Sequence, residues 1–209
     1  MLDAEIIAYL ETKYHPLGLI VYGSFADGSQ NAHSDFDALL ITREGEKSHD
    51  STIVHGTELD VFLYPASCFS ETACWSDYEQ IYDGIIVKDT DGIAAHVLRR
   101  VRAYLAGIPL KTSEENRVNV EWCEKMLLRS KRGDDEGFFR WHWLLTDSLE
   151  IYFDVIGKRY WGPKKSLKSF KQEDPVGAAL YGRALHALSQ EALEAWIAYL
   201  RGVFDASVK

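Results

Sequence analysis

Two short groups of residues near the start of the chain have the types and spacing to do chemistry together. Gly23-Ser24 ends an apolar run, and Asp35 and Asp37 flank Phe36 at the start of another, Ala38-Leu39-Leu40-Ile41. On a strand, side chains two residues apart leave the same face, so Asp35 and Asp37 converge while Phe36 enters the core. Two carboxylates so close repel each other unless a cation lies between them or one takes a proton. A hard divalent ion such as Mg2+ answers that need, because it takes oxygen ligands and keeps positions for water and substrate phosphates. A glycine after a strand lets the backbone turn and approach a ligand closely. The N–H groups of that turn, with the Ser24 hydroxyl, make a concave anion site.

The arrangement Tyr22-Gly23-Ser24, ten residues, then Asp35-Phe36-Asp37-Ala38 resembles the signature of the nucleotidyltransferase superfamily that includes DNA polymerase beta and the small-molecule, aminoglycoside-type nucleotidyltransferases. The family pattern adds a third acid between apolar residues on a later strand, and Leu59-Asp60-Val61 fits it. A lone Asp-x-Asp is common. The three pieces in order, each in its apolar frame, are a specific signal.

These residues need elements to hold them. Apolar positions Leu2, Ile6, Ile7 and Leu10 predict an amphipathic helix up to Tyr14, ended by His15-Pro16. Strands are predicted at 17–22, 51–54, 57–64 and 84–88, with His55-Gly56 as a hairpin turn and 43–50 as a charged loop. A helix is expected to open within 65–75, and another to run over 93–105 behind Asp89-Thr90-Asp91-Gly92. This is the order of a mixed α/β domain, and the resemblance implies the nucleotidyltransferase fold for residues 1–106.

Beyond Ala106-Gly107-Ile108-Pro109 the pattern is helical. Helices are predicted over 113–131, 135–156, 175–188 and 189–204, so 107–209 reads as an all-α bundle of four or five helices. Between them, Lys158 to Lys171 holds six bases and no acid in fourteen residues. A solvated helix end explains such a run. So does a phosphate-binding role for Lys164 and Lys165, at the start of a short helix after Gly162-Pro163. Many relatives carry an arginine just after Gly-Ser, whereas this chain has Phe25, Ala26 and Asp27, which leaves a triphosphate short of a positive partner within the motif.

Composition narrows the partners. With 46% apolar and 26% charged residues the chain is an ordinary globular protein. Its first residues carry acids rather than the basic start of a secretory leader, and no apolar run approaches membrane-spanning length. Three cysteines without a Cys-x-x-Cys point to a reduced, cytoplasmic setting and away from structural zinc. Residues 1–105 hold 17 acids and 7 bases, and residues 106–209 hold 15 acids and 16 bases. An acidic field around the first half disfavours nucleic acid and favours a cationic partner.

The resemblance implies a metal-dependent reaction in which an acceptor hydroxyl attacks the α-phosphorus of a nucleoside triphosphate, ATP in the first instance, and pyrophosphate leaves. It implies that Asp35 and Asp37 hold two Mg2+ ions, that Asp60 ligates one of them and takes the proton, and that Gly23 and Ser24 bind the β and γ phosphates. Some small-molecule members use a further carboxylate on the helical domain as base, and Asp147 and Glu150 are the candidates here. His33, two residues before Asp35, is either a turn residue or a phosphate contact. The acceptor expected is a small hydroxylated, cationic molecule such as an antibiotic. The alternatives are a macromolecular acceptor, tRNA or a protein as in toxin–antitoxin nucleotidyltransferases, and a non-catalytic nucleotide-binding protein. The same fold hosts many acceptors.

Overall fold

The computed structural model describes residues 2–208, and the chain forms two compact units, Met1–Ile108 and Pro109–Lys209. Architecture follows the expected class: a mixed α/β sheet unit, then a helical one.

The first unit begins with α1 (Ala4–Tyr14), whose N-cap Asp3 accepts the amides of Glu5 and Ile6. His15, in the left-handed region at φ 45°, ends it. The strands are β1 (Gly18–Val21), β2 (Phe36–Thr42), β3 (Ser48–Asp50), β4 (Ile53–Val54), β5 (Thr57–Pro65) and β6 (Ile85–Asp89). Their order is β3-β5-β2-β1-β6, with β4 folded back on β5 as a hairpin. β2 and β5 run parallel, and β1 is antiparallel to both β2 and β6.

Alternation builds the layers. Phe36, Ala38 and Leu40 on β2 and Leu59, Val61 and Leu63 on β5 share one buried face, packed with Ile6 and Leu10 of α1. Each fully buried side chain of this size contributes roughly 1.5–3 kcal/mol. Leu39 and Ile41 point the other way and are equally buried. The helix α3 (Ile93–Gly107) packs on β1 and β6, and the Asp89 carboxylate caps it by accepting the amides of Ala94 and Ala95.

Two expectations for this unit are corrected. The charged stretch 43–50 is not all loop, because Ser48–Asp50 pairs with β5, while Ser51 and Thr52 lie outside any strand. There the Asp50 side chain accepts the amide and hydroxyl of Thr52 and turns the chain. No α-helix forms over 65–75. Two 3-10 stretches, Ala66–Phe69 and Trp75–Ile81, stand in that region, because tight turns let Phe69, Trp75 and Tyr78 all face inward, with the Phe69 and Tyr78 rings 5.1 Å apart.

The second unit holds α4 (Ser113–Ser130), α5 (Asp135–Val155), α6 (Gly162–Glu173), α7 (Pro175–Ala187) and α8 (Gln190–Ser207). The cap of α4 is Thr112, one residue before the predicted start, in a capping box with Glu115. Trp196 is fully buried at the centre of the bundle, and its indole N–H donates to Ser148 Oγ at 2.9 Å. Among the described residues no helix is long and apolar enough to cross a membrane.

Candidate metal and phosphate site

The site is assembled by register. Asp37 on β2 and Asp60 on β5 are direct partners in the parallel ladder, so their side chains leave the same face side by side. Asp35, just before β2, is two residues back from Asp37 and joins them. One carboxylate oxygen from each of Asp35, Asp37 and Asp60 lies within 4.8 Å of the others. Like charges directly opposite on neighbouring strands cost stability, and no lysine or arginine forms a salt bridge with Asp35 or Asp60 among the described residues.

Gly23 closes the site from the β1 side. The Tyr22 amide donates to the Asp37 carbonyl, and the chain then turns through Gly23 at φ 65° into a short helix, α2 (Gly23–Asp27). A Cβ on Gly23 would lie 2.1 Å from Oδ2 of Asp37. Only a residue without a side chain fits there. Three of the ten residues between Ser24 and Asp35, Phe25 to Asp27, thus belong to this helix, and Ser24 within it is buried.

The donor set suits a hard divalent cation: three oxygen ligands from a strand pair, presented on an accessible face. Asp35 is exposed and Asp37 and Asp60 are half-buried, so all three carboxylates are reachable from solvent.

Two residues that the sequence pattern does not single out complete the surroundings. His49 on β3 brings Nε2 to 2.6 Å from Oδ1 of Asp60, and its ring lies on Phe62 with centroids 4.6 Å apart. Tyr22 is buried, and burial first, then the charges of Asp37, Asp60 and Asp35, push its phenol well above the ordinary tyrosine value, so it keeps its proton. Each had a weak signal: a histidine in a polar stretch, and a tyrosine before Gly-Ser.

The remaining residues singled out in the sequence sit on α2, in the loop after it, and on α5 and α6 of the second unit. Phe25, at the position after Gly-Ser, is buried and packs on Phe36 with centroids 5.0 Å apart, which anchors α2 to the sheet. His33 is exposed in the loop, where its amide donates to Asn31 Oδ1. Lys164 and Lys165 belong to the second unit, in the first turn of α6, with Pro163 among its first residues. Asp147 and Glu150 lie on α5 and line a groove with Trp122 and Trp143.

Comparison with known proteins gives little beyond this. No family model matches the chain. No curated protein matches it either. Among solved structures it is similar to a nucleotidyltransferase-like protein from Exiguobacterium sibiricum 255-15, with 14% identity, a TM-score of 0.44, and coverage of 97% of this chain and 76% of that one.

Proposed function

We propose that the first unit is the catalytic domain of a metal-dependent nucleotidyltransferase, which moves a nucleoside monophosphate from a nucleoside triphosphate to a hydroxyl of a small molecule. One observation carries this reading: three aspartate oxygens within 4.8 Å of each other, on adjacent parallel strands, beside a glycine that a carboxylate leaves no room to replace. A protein without a use for cations would have no reason to bear that repulsion.

In this reaction the acceptor oxygen bonds to the α-phosphorus, the bond to the β-phosphate bridging oxygen breaks, and pyrophosphate leaves. Such a displacement depends on positioning and charge neutralisation more than on covalent help. Mg2+ held by Asp35, Asp37 and Asp60 would offset the triphosphate charge and acidify the acceptor hydroxyl. Asp60, whose Oδ1 is engaged by His49 Nε2, would take the departing proton. Tyr22 keeps its proton and adds no charge beside the carboxylates. Gly23 and Ser24 present the turn that approaches the phosphates. The excess of 17 acids over 7 bases in residues 1–105 supports a small, cationic acceptor over a nucleic acid.

The test is pyrophosphate release with Mg2+ and each of the four nucleoside triphosphates, against pools of antibiotics, tRNA and protein extract, with Asp37→Asn as control. Release with a small-molecule pool, abolished in the control, is the expected result. Release only with tRNA or protein would replace the acceptor class. Silence with every pool would remove the enzymatic reading.

A further inference from the structure

One face of the sheet is covered over β2 and uncovered along β5. Asp37, Leu39 and Ile41 of β2 stand beside Asp60, Phe62 and Tyr64 of β5, and strand alternation puts all six on that face. Leu39 and Ile41 are fully buried, whereas Phe62 and Tyr64 are half-buried. The covering therefore ends at β5 and leaves a ledge. His49 of β3, the cross-strand partner of Phe62, widens it, with ring centroids 4.6 Å apart and an interplanar angle of 31°.

Both ends of the ledge are fixed. At one, His49 Nε2 meets Oδ1 of Asp60 at 2.6 Å. At the other, the Tyr64 ring packs on Phe69 and Tyr78 at 6.1 and 5.3 Å, and Lys47 Nζ lies 5.3 Å from its centroid. Two residues of strand separate Phe62 from Asp60, about 7 Å along the sheet. Phe62 thus stands one ring's length from the carboxylates.

Strand order decides which substrate group faces these rings. Across the sheet the strands run β3-β5-β2-β1, so the Gly23 turn after β1 and the His49–Phe62 ledge lie on opposite sides of the three aspartates. In phosphoryl displacement the attacking and leaving oxygens lie roughly in line through the phosphorus. With pyrophosphate leaving towards Gly23 and Ser24, the attacking hydroxyl arrives over β5 and β3.

We propose, resting on the catalytic reading above, that His49 and Phe62 seat the acceptor, and that the acceptor carries its hydroxyl beside a flat ring. Two near-parallel rings favour a third in an offset stack, and that contact adds to the area it buries. A linear polyol would leave both rings bare. The ledge thus selects the acceptor by shape, while the aspartates act on its hydroxyl.

Two alcohols of similar size serve as probes: benzyl alcohol, which is flat, and cyclohexylmethanol, which is not. Each is titrated into the full chain with Mg2+ and α,β-methylene-ATP, which cannot release pyrophosphate. The readouts are the ring signals of the seven histidines by two-dimensional NMR, with His49 assigned through His49→Gln, and the Gly23 amide. Benzyl alcohol should shift the His49 ring saturably, about fivefold more tightly than cyclohexylmethanol, and Phe62→Leu should remove that preference. Nuclear Overhauser contacts from the probe ring to Phe62 in the wild-type chain check the same point without a variant. Equal affinity for the two alcohols, or no contact with Phe62, would overturn the proposal. So would a nucleotide that shifts His49 and excludes benzyl alcohol, since the nucleobase would then fill the ledge. A Gly23 amide unmoved by Mg2+ and nucleotide, with benzyl alcohol still on the ledge, would overturn the catalytic reading and with it the acceptor role, a result distinct from an empty ledge.

Discussion

Gly23 and Asp37 touch so closely that a Cβ on the glycine would sit 2.1 Å from the aspartate Oδ2 and 2.8 Å from its Cγ. The glycine is also at φ 65°, where side chains are strained. A Gly23→Ala change must therefore swing the Asp37 carboxylate away or reopen the turn. The expected outcome is a loss of nucleotidyl transfer on the order of 100-fold, as for a misplacement of about 1 Å at a reacting centre. Mn2+ affinity, measured by electron paramagnetic resonance, should fall with it. Melting temperature should fall modestly with it, because an alanine at positive φ beside the half-buried Asp37 is strained. Wild-type Mn2+ affinity in Gly23→Ala would mean that Asp37 is not a ligand.

His49 and Asp60 form the second contact worth testing. The ring is held on Phe62, and its Nε2 reaches Asp60 Oδ1 at 2.6 Å. A partner of this kind orients a ligating carboxylate, and removing one typically costs 10–100-fold in metal affinity. Replacement His49→Ala should weaken Mn2+ binding about tenfold, and His49→Gln, whose amide can still donate, should recover most of it. Tighter binding in His49→Ala would show that the histidine competes with the cation for Asp60.

These contacts mark how far the sequence reaches. Asp35, Phe36 and Asp37 were readable because a period of two fixes which face each residue takes, and Gly23 because a strand ending in glycine announces a turn. The adjacency of Asp37 and Asp60 depends on the register of two parallel strands far apart in sequence, which no local pattern encodes. β3 is three residues of polar sequence, too short for alternation to register, and so His49 stayed hidden. The 3-10 stretches around Phe69 and Tyr78 are set by ring packing rather than by propensity.

Phe25 gives a prediction on stability. It is buried against Phe36, in the layer shared with Ile6 and Leu10. Truncation in Phe25→Ala removes a core ring and should cost about 3–5 kcal/mol in urea unfolding. Phe25→Arg, which introduces the basic residue that many nucleotidyltransferases carry there, should be at least as harmful because it buries an unpaired charge. If Phe25→Arg instead folds normally and binds triphosphate more tightly, the turn is more pliable than its packing implies.

Asp50 should give the first unit a measurable acid sensitivity. It is buried at the end of β3, and it accepts hydrogen bonds from Tyr14 at 2.6 Å, Lys13 at 3.0 Å and the Thr52 hydroxyl at 2.7 Å. Burial opposes its ionisation, but the bonds from Tyr14, Thr52 and Lys13 outweigh burial and hold the carboxyl well below its ordinary value of 3.8. A carboxyl depressed by folding contributes stability above its unfolded value, and that contribution is lost as pH falls through the folded one. Asp50→Asn should thus lower stability by about 2 kcal/mol at pH 7, a modest figure because the removed charge also frees a lysine that is partly solvated. The difference between wild type and Asp50→Asn should hold down to about pH 4 and shrink below it, as the Asp50 carboxyl of the unfolded chain, but not yet that of the folded one, takes up its proton. Urea midpoints of both proteins at pH 7, 5, 4 and 3 check this. A difference that stays constant across the series would mean that the Asp50 network contributes through shape alone.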